Sequence, residues 1–178
     1  MRGRALRIRA AVPADAPDIA SVHVRSWQAA YRGLLPDEFL DGLSVEEREA
    51  MWRSGLSDPG PGRGCFVAED DGGRTVGFVA FGPARDEHGP LPAETGEVYA
   101  IYVAPERFGT GVGRELFARA GDALRERGFR TAVLWVLESN ELARRFYEVA
   151  GWKPDGAVTT ERIDCLNHPT VRYRVELG

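Results

Sequence analysis

The chain has 178 residues, 43% hydrophobic and 28% charged, which suits a single domain, residues 1–178, with a full core and ordinary globular composition. A formal net charge of −4 forces no basic face, which argues against nucleic acid as a partner, and no apolar run approaches the roughly 20 residues of a membrane helix. Two distant cysteines (Cys65, Cys165) without a CxxC, and three scattered histidines (His23, His88, His168), imply neither a disulfide framework nor a metal site. The expectation is two buried thiols in a reducing cytoplasm.

The N-terminus "MRGRALRIRAAVPAD" is basic but leads into no apolar stretch, so no signal peptide is expected. "RIRAAVP" reads as a short strand. Asp15 then stands as N-cap of a first helix, with Pro17 in its first turn and Ile19, Val22 and Ser26 at helical spacing to about Tyr31. Pro36 to Leu43 reads as a short helical piece. Ser44 to Glu47 has the capping-box form Ser-x-x-Glu, opening a helix with Met51 and Trp52. "CFVAED", the turn "DGGR" and "TVGFVAFG" form an antiparallel hairpin. A polar loop from Pro83 to Thr95 leads to "GEVYAIYVAP", a strand of β-branched and aromatic residues ended by Pro105.

Next comes "APERFGTGVGREL", with Gly109, Gly111 and Gly113 at the mouth of a helix on which Val112, Leu116, Ala120 and Leu124 share a face. Gly128 closes that helix. "TAVLWVLE" is a nearly continuous apolar run, the pattern of a strand covered on both faces. Ser139 or Asn140 caps "ELARRFYEVA", where Leu142 and Phe146 share a core face, and two more strands follow in "AVTTERI" and "TVRYRVEL". Strand, glycine loop, helix and buried strand make a right-handed parallel βαβ unit. With the hairpin before it, this predicts an α/β (α+β) mixed sheet of about seven strands, with about four helices on both faces.

Glycine costs a helix interior about 1 kcal/mol relative to alanine, so the cluster needs a reason. A phosphate approaching bare backbone amides is one. A P-loop fails, because Arg114 and Glu115 follow Gly113 where Lys and Ser/Thr are required. A dinucleotide fingerprint fits poorly, since the spacing is Gly-x-Gly-x-Gly and lies deep in the chain.

"IYVAPERFGTGVGREL" resembles the acyl-CoA signature of the GCN5-related N-acetyltransferases, Arg/Gln-x-x-Gly-x-Gly/Ala after a strand. Gly111 and Gly113 match its glycines; Phe108 stands where Arg or Gln is usual. "LWVLESNELARRFYEVAGWKPDG" and the N-terminal "RAAVPADAPDIASVHVRSWQAAYRGLLP" are similar to further segments of that family, so the likeness covers most of the chain. It implies that strands four and five run parallel but splay apart, admitting the pantetheine arm of acetyl-CoA against Ile101, Tyr102 and Val103. The pyrophosphate would lie on Phe108, Gly109, Thr110, Gly111, Val112 and Gly113, and Asn140 and Arg144 would contact the cofactor. Arg144 reads equally as part of a solvated helix face.

Acetyl transfer to an amine needs a neutral amine, an oxyanion donor and a proton for the departing thiolate. Strand alternation puts Glu97, Tyr99, Ile101 and Val103 on one face, and makes Glu97 the candidate base through water. The alternative for Glu97 is a structural hydrogen bond. The resemblance places the general acid at Tyr147, whose alternative is an aromatic packed in the core with its hydroxyl satisfied, and the oxyanion donor is expected to be a backbone amide near Val103. Trp27, Tyr31 and Tyr99 are the candidate acceptor contacts; Trp27 and Tyr31 read equally as a core stripe. The expectation is a cytoplasmic acetyl-CoA-dependent N-acetyltransferase, without metal, nucleic acid or membrane. Its acceptor would be a small-molecule amine or a protein N-terminus, and homodimers are common in the family. The competing reading is a non-catalytic acyl-CoA-binding domain.

Overall fold

The computed structural model describes residues 6–178; the start of the basic N-terminal stretch lies outside them. One sheet carries seven strands in the order β1-β2-β3-β4-β5-β7-β6. These are β1 (Arg7–Ala10), β2 (Gly64–Glu69), β3 (Thr75–Pro83), β4 (Thr95–Val103), β5 (Thr131–Leu137), β6 (Lys153–Ile163) and β7 (Leu166–Glu176). Among the described strands only the β4–β5 pair is parallel. The crossover between them is α4 (Val112–Glu126), and α5 (Glu141–Val149) joins β5 to β6.

Three helices, α1 (Ala16–Ala30), α2 (Asp37–Asp41) and α3 (Val45–Ser57), lie between β1 and β2, making five α-helices among the described residues. The break before α3 is local chemistry: Ser44 Oγ accepts the Glu47 N–H at 3.1 Å, as its capping pattern predicts. Asp15 does not cap α1 with its side chain. It accepts the Val12 N–H and both terminal nitrogens of Arg9, each at 2.8 Å, and Arg9 also grips Glu69. That network ties β1, the entry to α1 and the end of β2 together.

Helices cover both faces of the sheet. On one, Leu116, Ala120 and Leu124 of α4 are fully buried against Val79, Phe81 and Leu134. Each such leucine contributes about 1.5–3 kcal/mol by leaving water. On the other, Ile19 and Val22 of α1 pack on Val67 and Phe78. On α5, Phe146 joins the α4 core but Leu142 is 78% exposed, so the expected shared core face stops at Phe146.

Two departures from regular pairing shape the middle of the sheet. β4 and β5 pair only over Thr95–Glu97 with Thr131–Val133, after which they diverge. On its other edge β4 carries a bulge: Ala80 pairs Ala100 and Phe81 pairs Val98, leaving Tyr99 without a partner. The extra residue reverses the phase of the strand. Val98, Ile101 and Val103 pack on the α4 side, while Ala100 and Tyr102 pack on the α1 side. A Cβ at Gly96 would lie 2.8 Å from Leu124, so Gly96 also faces α4 and the neighbouring Glu97 faces away from it. The expected single face of Glu97, Tyr99, Ile101 and Val103 is therefore broken at Tyr99.

Candidate active site

The β4–β5 divergence leaves a V-shaped opening. Glu97 is the last paired residue at its apex, and the β4 edge from Val98 to Val103 is unpaired on the β5 side. An unpaired edge offers N–H and C=O groups to an extended guest. Ile101 and Val103 pack partly buried side chains against the α4 core, and their backbone faces the opening.

At the end of β4 the chain turns through Pro105–Arg107 into the glycine loop. Gly109 (φ +73°) and Gly111 (φ +92°) are left-handed, a conformation that side chains resist. Gly113 is already helical, and a Cβ there would make ordinary 3.5 Å contacts with Phe146 and Val103. Two of the three glycines, not all three, are thus demanded by the backbone. Thr110 closes the loop on itself through its N–H (3.3 Å) and hydroxyl (2.7 Å), both donated to the Arg107 carbonyl. The amides of Gly109, Gly111, Val112 and Gly113 have no protein acceptor among the described residues. They stand at the positive end of α4, a suitable seat for a phosphate. Phe108 is half-exposed beside them.

Across the opening lies α5. Asn140 Oδ1 caps it by accepting the Ala143 N–H at 3.1 Å, and Asn140 also lies beside the Tyr31 hydroxyl. The Tyr147 ring packs on Phe117 and Phe146, with centroids 5.4 Å away in each case. Its hydroxyl has no protein partner among the described residues, yet it is not sealed in the core. Burial of the ring pushes the Tyr147 phenol above its usual range, so the group holds its proton at neutral pH. Tyr31 and Tyr102 are raised for the same reason.

A layer of aromatic rings supports this group from α1. Trp27 lies 4.8 Å from Tyr31 and 6.2 Å from Tyr102 between centroids, and its buried Nε1 has no hydrogen-bond partner among the described residues. His23 stacks on Tyr102 at 5.1 Å, nearly parallel, and Nδ1 of His23 accepts the Trp52 Nε1–H at 3.1 Å. Indole can only donate, so Nδ1 is unprotonated and the neutral ring carries its proton on Nε2.

Burial, helped by Arg48, lowers the His23 pKa from 6.5 to about 4. Between those values the unfolded chain binds a proton that the folded chain does not, so stability falls as pH is lowered through that window and levels off below it. The full effect is about 3 kcal/mol. Urea unfolding of the wild type from pH 7 to pH 4 should show this loss, and His23→Gln should flatten it. An unchanged slope in the variant would show that other groups carry the pH dependence.

Three sequence-derived site residues are engaged elsewhere. Glu97 is 2% exposed, and its carboxylate accepts the Arg85 N–H at 2.9 Å, Nε at 3.2 Å and Nη2 at 2.6 Å. It is the buried half of an ion pair with the partly exposed Arg85, an arrangement closer to the structural alternative for Glu97 than to an unengaged base. Tyr99 donates its hydroxyl to the Pro83 carbonyl, and its ring lies beneath the guanidinium groups of Arg85 (4.9 Å) and Arg63 (5.4 Å). That hydroxyl is not available to an acceptor. Arg144 braces the β5–α5 corner by donating to the Tyr173 hydroxyl (3.2 Å) and the Glu138 carbonyl (3.0 Å), not to the glycine loop.

The family model described as "Acetyltransferase (GNAT) family" matches residues 24–152, which include the whole opening and both of its flanks. The chain belongs to the GNAT acetyltransferase family. It is 39% identical over 133 residues to the uncharacterized N-acetyltransferase YuaI of Bacillus subtilis, covering 75% of this chain and 72% of that one. It is 32% identical over 183 residues to the probable N-acetyltransferase Rv2775 of Mycobacterium tuberculosis, covering 98% and 96%. A GCN5-related N-acetyltransferase from Kribbella flavida superposes with a TM-score of 0.71 at 25% identity, covering 97% and 98% of the two chains.

For this GNAT acetyltransferase, the residues that sequence reading missed are supporting ones. Arg85 gave no signal, because its partner Glu97 lies 12 residues away on another element. His23 carried only a helical spacing. The thiols differ from expectation: Cys65 is partly buried and pushed up to about 12 by desolvation, but Cys165 is exposed in the β6–β7 turn. Among the described residues, no group of three His, Cys, Asp or Glu side chains could hold a metal ion, and no helix is long and apolar enough to cross a membrane.

Proposed function

We propose that the chain transfers an acetyl group from acetyl-CoA to a primary amine, directly and within one ternary complex. The observation that carries this is continuity. The unpaired β4 edge leads through the Pro105–Arg107 turn to the free amides of Gly109, Gly111, Val112 and Gly113, so one extended thioester can lie along the first and rest its pyrophosphate on the second. The backbone of Ile101, Tyr102 and Val103 would hold the pantetheine arm. Phe108 and Thr110 border the phosphates without adding charge, and Asn140 closes the opening from α5.

The neutral amine attacks the thioester carbonyl carbon, the oxyanion is met by a backbone N–H near Val103, and the carbon–sulfur bond breaks. Tyr147 gives its proton to the departing sulfur. Oε2 of Glu97 accepts only the Arg85 N–H, so one of its lone-pair directions remains to take the amine proton through a water. Trp27 and Tyr31 wall the acceptor side. A covalent enzyme intermediate is not proposed, because Cys65 stays a thiol at neutral pH and neither cysteine has an activating base.

The test is release of CoA thiol from acetyl-CoA across a panel of primary amines, amino acids and N-terminal peptides. Turnover with one chemical class would establish the reaction and identify the acceptor. Silence across the panel, with acetyl-CoA still bound, would remove simple primary amines as acceptors. The working place of such an enzyme is the cytoplasm, where acetyl-CoA is made and used. Elution volume at several concentrations would show whether it works as a homodimer.

A further inference from the structure

Asp70 lies in the turn between β2 and β3, outside the opening. Its side chain is 3% exposed and takes every donor in reach. Oδ1 accepts the N–H groups of Gly72 (3.0 Å) and Arg74 (3.1 Å), and Oδ2 accepts Arg74 Nε (3.2 Å), Arg74 Nη2 (3.0 Å) and Arg107 Nη2 (3.4 Å). The first two contacts close its own turn. The last reaches the residue from which the phosphate loop departs.

Arg107 is unusually well placed to transmit that hold. Its side chain is only 13% exposed, its N–H donates to the Ala104 carbonyl at 2.8 Å, and its carbonyl receives both donors of Thr110. Ala104 is in turn fixed to β3 through its N–H and the Val76 carbonyl at 2.8 Å. The left-handed residues Gly109 and Gly111 resist bending least, so the aim of their amides depends on this anchor. Nearby hydrogen bonds, first the Arg74 N–H, hold the Asp70 carboxyl down to about 2, so the charge is present at every working pH.

We infer that Asp70 is a positioning residue for the acyl donor: through Arg107 it holds the glycine loop in the conformation that receives the pyrophosphate. This rests on the proposed reading of the loop as the pyrophosphate seat.

The experiment compares Asp70→Asn, Arg107→Gln and Arg74→Gln, each with acetyl-CoA and with S-acetylpantetheine, which keeps the thioester arm but has no phosphate. Arg107→Gln leaves the hairpin turn its own donors, so it stays informative if Asp70→Asn folds poorly. Expected is a rise of about tenfold in KM for acetyl-CoA in Asp70→Asn and Arg107→Gln, the size of one lost charge-assisted contact, with kcat unchanged. KM for S-acetylpantetheine should not move, and Arg74→Gln should match the wild type with both donors. Equal effects on the two donors, equal effects of Arg74→Gln and Arg107→Gln, or no change in Arg107→Gln would overturn the inference. A wild type that fails to bind acetyl-CoA at all would instead overturn the reading of the loop.

Discussion

Tyr147→Phe should lower kcat by about 100-fold or more while KM for acetyl-CoA and the melting temperature stay near wild type, because it removes only a proton donor. The phenol has no protein partner among the described residues, so its loss leaves no neighbour unsatisfied. The ring contacts with Phe117 and Phe146 are retained. Burial keeps the phenol protonated, and the same dry surroundings make a departing thiolate a poor anion, so a nearby proton has its largest value there. Because the proton stays on the phenol through neutral pH, the deficit should be similar from about pH 6 to about pH 8. A kcat within a few fold of wild type would reduce Tyr147 to a wall residue.

Glu97→Gln and Arg85→Gln should separate two roles that one carboxylate could play. Both variants break the same ion pair, but only the first removes the proton acceptor. Expected is a fall of about 100-fold in kcat for Glu97→Gln, and of less than about tenfold for Arg85→Gln. Stability should change in the opposite order. The Arg85 side chain is 39% exposed and can turn to water when its partner is lost, which costs about 1 kcal/mol. Glu97 cannot, so Arg85→Gln leaves a buried carboxylate with one backbone donor and costs about 3 kcal/mol. Urea melts beside the kinetics would read both. Equal activity losses in the two variants would assign Glu97 to holding the β3–β4 connection, the structural alternative already present in its sequence position.

Much of the molecule was legible without coordinates, because its signals are local. Pro105 follows the end of β4 and the left-handed Gly128 the end of α4, Ser44 and Asn140 cap the helices that follow them, and the apolar run of β5 marks a covered strand. The order of elements, the parallel crossover and the glycine loop follow from such residues alone. So does the aromatic pair Phe146–Tyr147 near the opening.

What the sequence could not decide was which way side chains point once strands are paired, and which charges meet. The bulge at Tyr99 is a property of the β3–β4 register; nothing in the nine residues of β4 places it at Tyr99, yet it reverses every side chain beyond it. The contacts Glu97–Arg85, Arg144–Tyr173 and Asp70–Arg107 join residues far apart along the chain, and such pairs form only where folding brings the two groups together. By itself the sequence determined a βαβ unit with a glycine-rich turn at the mouth of its helix. Only the tertiary structure decided that Glu97 is clasped while Tyr147 is free, because hydrogen-bond partners are chosen by proximity in space and not by order along the chain.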